Sequence, residues 1–137
     1  MERVRNEIST KNPYWISKHR FLELKHFCLQ YPEWKREYKS IELMPPSDGI
    51  VQIHNDFAGG SFLENVAFRR IELEERMRLV EAAASSTDEY LGPFIFRAVT
   101  ENAGYTQLRS KCGMACGKDM FYDRYRKFFW LLHQTRK

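Results

Sequence analysis

Apolar residues along this chain return every three or four positions in most segments, with charged or polar residues between them. A period of about 3.6 residues marks amphipathic helices that hide one stripe and wet the other. Asn12-Pro13 predicts a helix start, because Asn caps and Pro fits a first turn that does not need its N–H. In the run YWISKHRFLELKHFCLQ, Phe21, Leu24, Cys28 and Tyr31 fall at helical spacing. Pro32 stops that helix and opens PEWKREYKSIEL, where Trp34, Tyr38 and Ile41 recur at i, i+4 and i+7. Two helices joined so tightly predict an antiparallel N-terminal helical hairpin over residues 1–43.

The segment MPPSDGIVQIHNDFAGG is punctuated by Pro-Pro, Asp-Gly and Gly-Gly, so residues 44–60 read as a hinge loop, with a short extended piece at 50–53. Ser61 and Glu64 have capping-box spacing ahead of a long helix with Phe62, Val66, Leu73, Met77 and Val80 on one side. Glu72/Arg76 and Glu74/Arg78 support its outer face at i, i+4. Ser85-Ser86-Thr87-Asp88 closes this helix and caps DEYLGPFIFRAVTEN, whose Tyr90, Leu91, Phe94, Ile95 and Val99 are expected inside. Gly92-Pro93 kinks that helix or delays its start, and Gly104 ends it. No repeat or low-complexity tract interrupts the pattern, and the fold expected is all-α.

Beyond Gly104, Thr106 is expected to cap a short helix, TQLRSKC, with Leu108 and Cys112 inward. Gly113 supplies the freedom for a sharp turn and Met114 plugs the angle. A second helix begins near Gly117 and carries Phe121, Tyr125, Phe128, Phe129 and Leu132 on one face. Residues 61–137 therefore read as a connecting helix followed by a helix-turn-helix, a motif whose second helix enters the major groove by its N-terminal end.

Charge sharpens this reading. Of 137 residues, 43% are hydrophobic and 15% aromatic, enough for one ordinary folded domain. Lys/Arg outnumber Asp/Glu nine to five over 1–40 and eight to two over 105–137, whereas 41–104 holds five against eleven. A basic end beside an acidic middle suits a polyanion on one face. The three cysteines form no framework of spaced pairs and read as reduced thiols. No apolar run approaches the roughly 20 residues of a membrane span, and MERVRNEIST lacks a signal-peptide core, so a cytoplasmic protein is expected.

If Phe121, Tyr125 and Phe128 pack inward, Lys118, Asp119, Tyr122, Asp123 and Arg126 turn outward. Lys and Arg neutralise phosphates or bond guanine, and Asp accepts from cytosine N4. Lys118, Asp119, Tyr122 and Asp123 are then the expected base readers. Lys111, Lys118, Arg124, Arg126 and Lys127 are the expected phosphate contacts, with Arg109 flanking. Five such contacts imply a log–log salt slope of roughly −4 to −5. An amphipathic core helix with an ordinary charged back is the competing explanation.

At these residues, MACGKDMFYDRYRKFFWLL resembles the C-terminal signature of phage transcriptional regulators of the RinA and ArpU type. The upstream run AFRRIELEERMRLVEAAASSTDEYLGPFIFRAVTENAGYTQLRS is similar to their linker and pre-motif helices, so the resemblance covers roughly residues 66–137. It implies a sigma-region-4-like helix-turn-helix, promoter-region binding of double-stranded DNA, and control of phage late or packaging genes in a host bacterial cell. The turn after Gly113 is one or two residues longer than in sigma-type motifs, and Arg109 lies where they favour a small residue.

Other chemistries have weaker signals. Cys112 and Cys116 are spaced C-x3-C, with His26 and His133 as conceivable partners, but no second close pair completes a tetrahedral zinc site, and no metal or cofactor is expected. Cys116 at a helix N-terminus beside Lys118 invites a lowered pKa, yet no His or acid-base pair stands near it in sequence. Ala58-Gly59-Gly60-Ser61 lacks the Lys of a P-loop. An enzyme is not expected. Tyr14, Trp15, Phe27, Trp34 and Tyr38 are many aromatics for one short region and form a candidate partner interface, for a second copy or RNA polymerase. The alternative function is accordingly a phage-encoded protein-interaction module that binds a host protein or nucleoprotein: RNA polymerase, packaging machinery, or a defence complex as an inhibitor.

Overall fold

The computed structural model describes residues 11–44 and 61–136, and every described element is helical. The helices are α1 (Lys18–Leu29), α2 (Tyr31–Glu42), α3 (Phe62–Ser85), α4 (Gly92–Glu101), α5 (Tyr105–Cys112) and α6 (Lys118–Thr135). The all-α expectation holds. The hinge expected over 44–60 and its extended piece lie, from Pro45 to Gly60, outside the described residues.

Local chemistry sets most helix ends. Asn12 and Pro13 do not open α1: the Asn12 side chain accepts from the Tyr14 N–H at 2.8 Å, making a turn. Ser17 is the N-cap instead, accepting from Arg20 N at 3.4 Å. Ser61 Oγ accepts from Glu64 N at 3.0 Å ahead of α3, as its spacing predicted. Asp88 Oδ2 accepts from Leu91 N at 2.8 Å, and α4 starts at Gly92 with Pro93 in its first turn. The delayed start is enforced by contact, since a Cβ at Gly92 would meet the Ala84 carbonyl oxygen at 3.0 Å. Asn102, in the left-handed region at φ 59°, ends α4, and Gly104 caps α5 in place of Thr106.

The chain divides into two compact units, and they do not follow the boundaries read from the sequence. One comprises α1, the first two residues of α2 and the chain from Leu79 onward; the other is Glu33–Arg78. A hairpin needs a loop of about two to five residues. Only Gln30 separates α1 from α2, and its backbone is right-handed helical at φ −82°, ψ −8°.

In the first unit, α1 packs on α4 and α6, and α4 packs on α5 and α6. Its interior is aromatic: Phe21 meets Phe129 edge-on at 4.9 Å, and Phe128 stands at 87° to Phe129. Cys28 is fully buried there, which pushes its thiol up to about 12. In the second unit, early residues of α2 meet late residues of α3. The Arg76 guanidinium lies 6.0 Å from the Trp34 ring centre, Tyr38 donates to Glu74 at 2.6 Å, and Glu37 receives Arg69 at 2.6 and 2.8 Å. That order makes these stretches antiparallel, with Trp34 and Leu73 buried.

Candidate nucleic-acid interface

Helix α5, the segment Gly113–Gly117 and helix α6 form the basic end of the chain. Gly113 adopts φ 71°, the left-handed conformation that ends α5, and its N–H bonds the Leu108 carbonyl. Met114 is buried at 2% exposure and its N–H also bonds Leu108 O, at 3.2 Å. Two tyrosines that the sequence did not single out for the turn hold it. The Tyr105 hydroxyl donates to Cys116 O at 2.7 Å, and the Tyr90 hydroxyl accepts from Ala115 N at 2.9 Å. Tyr90 is therefore not the interior residue expected; about half of it is exposed.

Along α6 the environment changes within one turn. Lys118, Asp119 and Met120 are exposed, whereas Phe121, Phe128, Phe129 and Leu132 are buried. Tyr125 is half-buried, and burial foremost pushes its phenol pKa upward. Arg109 and Lys111 on α5 are exposed, with Arg109 Nη1 donating to the Tyr105 hydroxyl oxygen at 3.1 Å.

Most of the other expected DNA contacts engage the chain itself. Tyr122 is half-buried, edge-on to Phe121 at 5.0 Å and 6.4 Å from the Tyr105 ring. Arg124 pairs with Asp123 and, through Nε at 3.4 Å, with Asp88. Lys127 Nζ donates to Thr87 O at 3.3 Å. Arg126 is half-buried, and its Nε is enclosed without a hydrogen-bond partner among the described residues. The outward set expected from the helical wheel is thus split. Its leading members are exposed, while Arg124 and Lys127 are bonded within the chain and Arg126 is half-buried.

The Asp88 carboxyl lies below its ordinary range, chiefly because it accepts from the Leu91 N–H, with Arg124 adding to the effect. Cys116 lacks the lowered pKa that a helix N-terminus beside Lys118 invites: burial first, then the Asp88 charge, raises it. Cys112 Sγ accepts from Arg97 Nη1 at 3.1 Å, and all three cysteines are free thiols. No group of three metal-capable side chains occurs among the described residues.

The candidate partner aromatics also divide. Phe27 and Trp34 are buried at 6% and 3% exposure, so neither offers a ring to a partner. Arg136 covers the Phe27 ring at 4.1 Å. Tyr14 lies 5.8 Å from Trp130, and Tyr38 is bonded to Glu74. Trp15 is the member most open to water. No described helix is long and apolar enough to cross a membrane.

Comparison with protein-family models, curated proteins and solved structures returns no match to this chain.

Proposed function

We propose that this chain binds duplex DNA through the leading turn of α6, as a phage or prophage transcriptional regulator. The observation that carries the reading is the contrast along α6, wet at Lys118 and Asp119 and buried at Phe128 and Phe129. A helix gripped by its rings and exposed at its N-terminal end has the presentation a major groove accepts. The resemblance of 114–132 to RinA- and ArpU-type regulators points the same way.

The contacts narrow the residue set. Lys118 and Asp119 are the base readers, with half-buried Tyr122 beside them. Arg109, Lys111 and Lys118 neutralise phosphates, while Arg124 and Lys127 serve the fold and Arg126 is half-buried. Three phosphate contacts lower the expected salt slope to about −3. Fluorescence anisotropy with random duplex over a salt series tests this. Lys111→Ala should weaken all duplexes alike, and Asp119→Asn should change the sequences recovered by selection. Binding indifferent to salt, or absent at low salt below about 100 μM protein, would reject the reading.

A second reading is supported by apolar side chains on the second unit: Phe68 is 64% and Ile71 50% exposed on α3. They suit a protein-interaction module that binds a host protein or nucleoprotein. Co-purification with RNA polymerase that survives high salt and is lost on Phe68→Ser would favour it.

A further inference from the structure

Within the first unit, an open groove of about 560 Å³ runs between the end of α3 and the start of α4. Its walls are largely apolar: Tyr31 and Phe96, edge-to-face at 4.9 Å, stand beside Ala84, Gly92 and Pro93. Its polar side chains are Glu81, Ser85, Asp88 and Glu89, and no Lys, Arg or His lines it. The size is that of a small-molecule site.

We propose that this groove binds small organic cations that join a protonated amine to an apolar body, the arylalkylamine class. The aryl group lies against Phe96, Pro93 and Ala84, and the ammonium faces the carboxylate edge. Glu81 and Glu89 supply most of that attraction. Asp88 is already engaged by the Leu91 N–H and by Arg124, and Glu81 accepts from the Tyr31 hydroxyl. Aromatic faces add a cation–π component. An anion of the same shape meets the carboxylates of Glu81 and Glu89 and no lining cation, so the site discriminates by sign.

The groove is preformed. The Asp88 cap fixes the connecting turn, and the close approach of Gly92 to Ala84 O fixes its floor. A preformed site spares a ligand the cost of ordering it. A small molecule fits better than a protein partner because the helical side of the groove, Glu81 to Ser85, rises only about one turn, or ~6 Å. A stable protein partner covers roughly 800 Å² per side.

The test is an NMR titration of the labelled full chain at pH 7 with 4-phenylbutylamine, 4-phenylbutanol and 4-phenylbutyrate. The amine should shift the Ala84, Gly92 and Phe96 amides saturably and bind roughly five- to tenfold tighter than the alcohol, with the carboxylate weakest. In a Glu81→Gln/Glu89→Gln variant, the preference for amine over alcohol should fall to about twofold or less. Glu89→Gln alone, at an exposed position, keeps the test valid if the double variant is unstable. Shifts that do not saturate or fall outside the groove, equal binding of amine and carboxylate, or an undiminished preference in the variants would each overturn the proposal. So would diffusion and line widths showing a second copy seated in the groove. None of these outcomes depends on DNA binding.

Discussion

The Tyr105 hydroxyl donates to the Cys116 carbonyl at 2.7 Å, tying the first residue of α5 to the end of the turn that precedes α6. The same oxygen accepts from Arg109, and the ring stands 5.6 Å from Phe121. One side chain thus fixes where the exposed end of α6 points and where a flanking cation sits.

Tyr105→Phe keeps the ring contacts and removes the hydroxyl. Chemical denaturation should show a loss of about 1 kcal/mol, and more if the Cys116 carbonyl finds no water. On the DNA reading, duplex affinity should fall several-fold while helix content stays constant. Unchanged stability and affinity would show that the turn is held by Met114 and Tyr90 without it.

Phe128 is fully buried, whereas Met120 on the same helix is 52% exposed. Phe128→Ala should cost about 3–5 kcal/mol, much of the stability of a small domain. Met120→Ala should stay within about 0.5 kcal/mol. Thermal melts of the two variants compare the two ends of α6 directly.

Arg124 separates a phosphate contact from a structural one. Paired with Asp88 and Asp123, it should, on Arg124→Ala, cost stability of about 1 kcal/mol or less and leave duplex binding nearly unchanged. Lys118→Ala should do the reverse. Equal losses of DNA affinity in both variants would return Arg124 to the interface.

Acid should weaken the fold through two carboxyls. Asp88 is held below its ordinary value chiefly by the Leu91 N–H, and Glu37 chiefly by Arg69. A depressed folded-state pKa gives stability that is complete above the unfolded value and disappears as pH falls through the folded one. The melting temperature should therefore hold from neutrality down to about pH 5 and decline below about pH 4. Asp88→Ala should cost about 1 kcal/mol at neutral pH and flatten the decline.

Glu37 and Arg69 meet through two hydrogen bonds yet remain partly exposed. A double-mutant cycle to Gln and Met should give a coupling of about 0.5–1 kcal/mol that shrinks in high salt. A larger, salt-insensitive coupling would mean that the pair is better shielded than its exposure indicates.

The helices were legible because their signals are local. The buried stripe of Leu73, Met77 and Val80, the Ser61 cap, the left-handed Gly113 and the plugging Met114 follow from spacing and from the conformational freedom of one residue. Asn12 and Thr106 misled because several residues near a helix start can cap, and the neighbouring backbone selects one. Tyr90 misled because a tyrosine at helical spacing can turn its hydroxyl outward to a distant N–H.

What the sequence by itself determined is the all-α class, the run of helices and the concentration of cations at the C-terminal end. Only the tertiary structure decided that α1 joins the C-terminal helices, that α2 runs antiparallel to α3, and that Asp88 claims Arg124 from 36 positions away. The reason is range. A helix is written in contacts three or four residues apart, whereas the partner of a charge or a ring depends on which surfaces the packed core brings together.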